Sequence, residues 1–122
     1  MLKKEFAKVG KTNVRVSRLG MGGAPLGGLF SDGGDLVARE SLETAYEGGI
    51  RYFDTAPLYG SGVSENRFGA FLRTVPRDSF TLSTKVGRLI EPGDFEDNSD
   101  HFPNAPNSKV TFNYSREGVL RS

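Results

Sequence analysis

Two helical patterns alternate with three short β-prone runs in the N-terminal part of this chain. The β-prone runs are Leu19–Gly22, Ile50–Phe53 and Phe80–Thr84. Between them, apolar residues recur every three or four positions, which predicts one helix from an N-cap at Asp35 to about Glu47 and a second helix beginning at Ser64. Strands that alternate with helices through short connections favour a parallel sheet with crossover helices. The predicted fold class is therefore α/β.

Other segments flank or interrupt this alternation. Phe6–Val9 and Val14–Val16 are β-prone and enclose the turn-forming Gly10–Asn13, which predicts an N-terminal hairpin. Gly22–Gly34 is rich in Gly and is predicted to be a loop.

The last third of the chain is predicted to be mostly irregular. Residues 87–114 contain three prolines and many Asn, Asp and Ser residues without a sustained period, so we expect a long loop there, either a lid or a disordered segment. Ser115 is the predicted N-cap of a third helix. Three parallel strands with so few helices leave open sheet edges, so we expect these residues to be the N-terminal part of a longer protein.

Composition excludes several classes of function. The 122 residues carry 16 Lys and Arg against 15 Asp and Glu, and this near balance argues against a nucleic-acid-binding protein. The absence of cysteine excludes disulfides and thiolate chemistry, and suits a reducing compartment. No run of about 18 apolar residues is present, and no leader is recognisable, so a cytoplasmic protein that does not bind membranes is expected.

Two strand ends carry the candidate catalytic residues. Asp54 follows the strand Ile50–Phe53, Tyr59 lies on the next loop, and Lys85 follows the strand Phe80–Thr84. Neighbouring parallel strands lie about 5 Å apart, so Asp54 and Lys85 should pair. A nearby ammonium favours phenolate over phenol, and a phenol tuned in this way can serve as a general acid or base. A structural ion pair beside a packed tyrosine explains the same spacing equally well.

Two other candidate motifs lack residues that their functions require. Gly20–Pro25 begins like a dinucleotide-binding G-x-G-x-x-G, but Pro25 stands at the third glycine position and a loop follows it. The segment is interpreted either as a plain turn or as a loop whose backbone approaches a ligand. His101 is the only histidine, and without a second one or a cysteine no metal site is expected.

Four segments together resemble the aldo-keto reductase family over essentially the whole chain. They are Val16–Gly22, Gly49–Gly60 with its Asp-Thr-Ala-x-x-Tyr-Gly, Gly62–Glu65 and Ser83–Gly87. The resemblance implies the N-terminal portion of a (β/α)8 TIM barrel with an N-terminal β-hairpin cap, ending in the third helix. It also implies that residues 1–122 are a partial domain, truncated before the fourth barrel strand.

The same resemblance implies roles for individual residues. Asp54, Tyr59 and Lys85 match three members of the family's catalytic tetrad, whose histidine is expected after Ser122. Gly22 and Gly23, together with Asp54, match positions near the nicotinamide of NAD(P). The implied activity is hydride transfer between NAD(P) and a small carbonyl or sugar substrate, with Tyr59 as the acid or base.

Residues 23–28, 112–115 and 118–122 resemble one branch of this family. It is the branch of aldose (L-fucose and D-threo-aldose) 1-dehydrogenases and pyridoxal 4-dehydrogenases. The resemblance implies that the 122 residues alone are inactive. A non-catalytic regulatory or binding subunit on the same barrel is the alternative.

Overall fold

The computed structural model describes residues 5–95 and 101–122. Seven short strands and three helices follow one another along these residues. In chain order they are β1 (Phe6–Lys8), β2 (Arg15–Ser17), β3 (Gly20–Gly22), α1 (Gly34–Glu47), β4 (Tyr52–Asp54), α2 (Val63–Leu72), β5 (Thr81–Ser83), β6 (Arg88–Pro92), β7 (Ser108–Phe112) and α3 (Arg116–Arg121).

A parallel sheet of β3, β4 and β5 confirms the predicted strand and helix alternation. The strands lie side by side in chain order, with Gly22 opposite Asp54 and Asp54 opposite Ser83. The register aligns the C-terminal ends of all three strands, so the loops that follow them emerge at one edge of the sheet. β1 and β2 form the predicted N-terminal hairpin, with Ala7 opposite Val16.

The core lies between this sheet and the two long helices. Phe53 of β4 and Leu42 of α1 are fully buried, and Phe68 of α2 is 1% exposed. The Phe53 ring meets the Phe68 ring edge to face at 6.0 Å and the Phe80 ring at 6.4 Å. Such geometry is favoured between aromatic rings, and it fixes α2 against the middle strand.

The starts of the first two helices differ from the prediction. α1 begins at Gly34 rather than after an Asp35 cap, because the Asp32 carboxylate accepts the Gly34 N–H at 2.9 Å and Asp35 pairs with Arg67 instead. α2 begins at Val63, and Ser64 lies inside it, fully buried. The Ser115 cap of α3 is confirmed, since its side chain accepts the Gly118 N–H at 3.1 Å.

The prediction of an irregular segment over residues 87–114 is wrong. β6 and β7 form an antiparallel hairpin in which Ile90 lies opposite Val110. Leu89 is 7% exposed, so its burial stabilises a strand that has little sequence signal of its own. Pro92 lies at the end of β6, a position where a proline is tolerated in a strand. Residues 96–100 lie outside the described part of the chain.

Candidate active site

The aligned strand ends bring Asp54 and Lys85 together. Asp54 is the last residue of β4, and Lys85 follows β5 by two positions. The Lys85 Nζ donates to Asp54 Oδ2 at 2.8 Å and to the Thr55 carbonyl at 3.0 Å. The ion pair that the sequence predicted is therefore present.

The environment holds both groups in their charged forms. Burial raises the pKa of Asp54, but the hydrogen bonds from Lys85 and Ser83 outweigh this effect, and the net result is a lowered pKa. Burial likewise lowers the pKa of Lys85, whereas hydrogen bonding to Asp54 and to Tyr59 raises it, and the net shift is upward. The side chain of Lys85 is 50% exposed and that of Asp54 is 35% exposed, so water screens the pair in part.

Tyr59 lies beside this ion pair on the loop between β4 and α2. The Lys85 Nζ is 5.0 Å from the centre of the Tyr59 ring. Phe102, which is 9% exposed, packs against the same ring with 6.1 Å between ring centres. The arrangement places an acid, an amine and a phenol together, as the sequence predicted.

A chain of hydroxyl groups orients Asp54. The Ser83 hydroxyl donates to Asp54 Oδ1 at 2.6 Å, and the Tyr52 hydroxyl lies 3.0 Å from Ser83 Oγ. Alternation along a strand puts Ser83 on the face of Lys85 and Tyr52 on the face of Asp54, but this contact was not predicted. The sequence signal that could have indicated this contact was the alternation of polar side chains along the two strands.

The two glycines after β3 occupy different surroundings. A Cβ at Gly22 would meet nothing within 4 Å, and an open cavity of about 510 Å³ extends from Gly22 and Asp54 along the sheet to Ala7 and Val16 of the N-terminal hairpin. A Cβ at Gly23 would lie 2.5 Å from the Phe68 ring and 2.7 Å from Ser64 Oγ. Gly22 thus has room for a ligand at its side, whereas Gly23 is required for packing.

Buried hydroxyls connect Gly23 to the residue that follows Asp54 at the end of β4. Ser64 Oγ donates to the Gly23 carbonyl at 2.8 Å and lies 2.8 Å from Thr55 Oγ1. Sequence reasoning missed these structural roles of Ser64 and Thr55, since it had placed Ser64 at the start of a helix.

A second cavity, of about 380 Å³, lies at the Tyr59 side of the ion pair. The residues that line it include Tyr59, Lys85, Arg88 and Tyr114.

His101 is exposed, and its ring packs edge to face against Phe30 at 5.8 Å. Over residues 5–95 and 101–122, no three His, Asp or Glu side chains form a group that could hold a metal ion. No helix in the same part of the chain is long and apolar enough to cross a membrane.

Parallel strands joined by helices, with charged side chains at their C-terminal ends, are the arrangement found in the α/β class, which includes the β/α barrels. The chain belongs to the aldo/keto reductase family, whose model matches residues 18–122.

Two curated relatives cover most of the chain. It is 43% identical over 114 residues to D-threo-aldose 1-dehydrogenase from Pseudomonas sp, a match that covers 88% of the chain and 34% of that protein. It is 40% identical over 130 aligned positions to pyridoxal 4-dehydrogenase from Microbacterium luteolum, covering 97% of the chain and 37% of the relative. The chain spans about a third of the length of these relatives.

Solved structures share the fold. An aldo-keto reductase from Bacillus halodurans, solved in its holo form, superposes with a TM-score of 0.71 at 27% identity, over 96% of the chain and 33% of that structure. A glycerol dehydrogenase from Gluconobacter oxydans gives a TM-score of 0.66 at 28% identity, over 98% of the chain and 33% of that structure. The predicted fold class is confirmed: the chain forms part of a (β/α)8 TIM barrel with an N-terminal hairpin.

Proposed function

We propose that the protein containing this chain is an oxidoreductase that transfers a hydride between NAD(P) and a carbonyl or alcohol carbon. The observation that carries the proposal is the position of Lys85, which is hydrogen-bonded to Asp54 at 2.8 Å and lies 5.0 Å from the centre of the Tyr59 ring. In the direction of reduction, the Tyr59 phenol donates its proton to the carbonyl oxygen of the substrate. In the direction of oxidation, the phenolate removes the hydroxyl proton from the alcohol.

Each remaining member of the site supports that proton transfer. The Lys85 ammonium favours the phenolate, which develops as the proton leaves Tyr59. Asp54 keeps Lys85 charged and in place, and Ser83 orients Asp54. When bound, the nicotinamide supplies or accepts the hydride, and this chain's residues move the proton.

The residues at the strand ends fit one edge of a nicotinamide site. Gly22 leaves open space, and the cavity beside it is bordered by the polar groups of Tyr52 and Asp54. We assign cofactor contacts to Gly22 and Asp54, and to the backbone of Gly23. An aldose or a related small aldehyde is the substrate class that we propose, because the relatives named above include an aldose dehydrogenase and a pyridoxal dehydrogenase.

The test is nicotinamide-dependent turnover of the full-length protein on a panel of aldoses and small aldehydes, with Tyr59→Phe beside it. General acid–base catalysis contributes about 10²–10⁴-fold, so the variant should bind the cofactor normally and lose that much in kcat. Tyr46→Phe is the matched control, because the Tyr46 hydroxyl bonds Ser79 on the helical side of the sheet. Near-normal kcat in Tyr59→Phe would refute the role of Tyr59. The absence of turnover in the wild-type protein would favour a regulatory or binding subunit.

A further inference from the structure

Arg67 makes an unusual set of contacts for a charged residue on an outer helix. Its side chain is only 11% exposed. The guanidinium donates to Asp32 Oδ1 at 2.8 Å, to Asp32 Oδ2 at 3.3 Å, to Asp35 Oδ1 at 2.8 Å and to the Leu26 carbonyl at 2.8 Å. These contacts join α2 to the loop that follows β3 and to the first turn of α1.

Asp32 is the main partner in this cluster. Its side chain is 20% exposed, whereas that of Asp35 is 91% exposed and gains little from an ion pair in water. The hydrogen bond from Arg67 is the largest influence on Asp32 and lowers the pKa of its carboxyl. The Arg67–Asp32 pair is a two-pronged contact, which constrains direction as well as distance.

Leu26, whose carbonyl accepts a hydrogen bond from Arg67, connects this cluster to the candidate active site. Gly27, the next residue, packs its backbone directly on the backbone of Tyr59 and Gly60. A Cβ at Gly27 would lie 2.5 Å from the Tyr59 carbonyl carbon and 2.6 Å from its oxygen, and a Cβ at Gly60 would clash with the Gly27 carbonyl. No side chain separates the two loops, so a displacement of Leu26–Gly27 displaces Tyr59.

We infer that Arg67 is a positioning residue for Tyr59, acting through Leu26 and Gly27. The inference rests on the proposed function, in which Tyr59 transfers the proton. With Arg67 removed, Ser64 still holds Gly23 to α2, but the part of the loop around Leu26 and Asp32 loses its hydrogen bonds to that helix, and the backbone support of Tyr59 shifts. The phenol then moves relative to the Lys85 ammonium, although Lys85 keeps its contacts with Asp54 and Thr55.

The kinetic test compares Arg67→Met and Arg67→Lys with the wild type, all in the full-length protein. A shift of about 1 Å in a catalytic group can reduce the rate by about 100-fold. We expect Arg67→Met to lower kcat by about 10- to 100-fold, with the KM for the cofactor changed less than about threefold. Arg67→Lys keeps one charge and one donor and should recover part of the loss.

The matched control is Arg39→Met, because Arg39 pairs with Glu43 on the exposed surface of α1 and its side chain is 64% exposed. Gly27→Ala presses a methyl group on the Tyr59 backbone without removing a charged side chain, and it should reproduce the lower kcat. For each variant, kcat is calculated from the concentration of folded protein. A folded Arg67→Met protein with wild-type kcat would overturn the inference.

A measurement that needs no activity separates this inference from the proposed function. Hydrogen exchange should become faster in Arg67→Met over residues 24–34 and 57–62, including the Tyr59 amide that bonds the Ala56 carbonyl at 3.2 Å. Exchange over β4 and β5 should stay unchanged. If the wild-type protein shows no turnover, the proposed function fails, but faster exchange at these two loops still supports the anchoring by Arg67. Unchanged exchange there refutes it.

Discussion

The Ser83 hydroxyl donates a 2.6 Å hydrogen bond to the Asp54 carboxylate across two neighbouring parallel strands. The register places these two residues directly opposite each other. One carboxylate oxygen is thereby occupied by the hydroxyl, and the other faces the Lys85 ammonium. Asp54 is held in one orientation by two different donors.

Loss of the Ser83 hydroxyl should weaken catalysis without abolishing it. A typical hydrogen bond contributes about 1 kcal/mol, so Ser83→Ala should lower kcat roughly fivefold in the full-length protein. Ser79→Ala removes a hydroxyl that donates to the Pro76 carbonyl on the far side of the sheet, and it serves as the control. Steady-state kinetics on both variants makes the comparison. An unchanged kcat in Ser83→Ala would show that Lys85 alone orients the carboxylate.

The Asp54–Lys85 pair should give a defined dependence of stability on pH. The pKa of Asp54 is lowered from 3.8, so its contribution is present above about pH 4 and is lost as the pH falls through the lowered value. The pKa of Lys85 is raised from 10.5, so its contribution is present up to about pH 10 and is lost as the pH rises through the raised value. Because both side chains are partly exposed, each loss should stay below about 1 kcal/mol.

Urea denaturation of the wild type and of Asp54→Asn across pH would measure this effect. The difference in the free energy of unfolding between the two proteins should be constant near neutral pH and should shrink in acid. A difference that persists unchanged at pH 2 would mean that the carboxylate charge contributes nothing to stability.

The two glycines after β3 should respond differently to substitution. Gly22→Ala adds a methyl group to open space, so the protein should keep its stability but bind the nicotinamide cofactor more weakly. Gly23→Ala presses a methyl group against the Phe68 ring and Ser64, and overpacking of this kind typically costs about 1–3 kcal/mol. Thermal unfolding and cofactor titration of both variants in the full-length protein separate these effects. Equal cofactor affinity in Gly22→Ala and the wild type would remove Gly22 from the proposed cofactor site.

The 122-residue chain by itself should show no turnover and only weak nicotinamide binding. In β/α barrels the phosphate site is frequently built from the loops after strands 7 and 8, and the described residues of this chain form three parallel strands. Fluorescence titration of the purified chain with NADPH and NADH checks the expectation. A Kd near 1 μM, which corresponds to about −8 kcal/mol, would contradict it.

Local sequence patterns predicted the parts of the structure that follow from strand geometry. Neighbouring parallel strands lie about 5 Å apart, so residues at the ends of two such strands can meet. On this basis Asp54 and Lys85 were predicted to pair. Ser115 was predicted to be an N-cap because a serine at this position accepts a hydrogen bond from the backbone N–H three residues further on, here that of Gly118.

Features that depend on distant partners could not be predicted in the same way. β6 is stabilised by pairing with β7 and by the burial of Leu89, and neither effect produces a periodic pattern of apolar residues in the sequence. Arg67 has the sequence context of an ordinary charged residue on a helix. Its role depends on Asp32 and Leu26, which are brought to it only by the packing of α2 against the loop after β3.

The hairpin of β6 and β7 belongs to a different sheet from the strands that precede Lys85 and end in Asp54. Its base is closed by the hydrogen bond from the Asn113 N–H to the Gly87 carbonyl at 2.8 Å, which separates the hairpin from the sheet. Insertions, deletions or grafted sequences beyond that closure leave the spacing of Asp54 and Lys85 unchanged. They would change what covers Tyr59, where Phe102 now packs, and the contact of Ser108 with Ser61 on the same loop. The cover of the tyrosine and the charged pair beside it are therefore carried by separate parts of the chain.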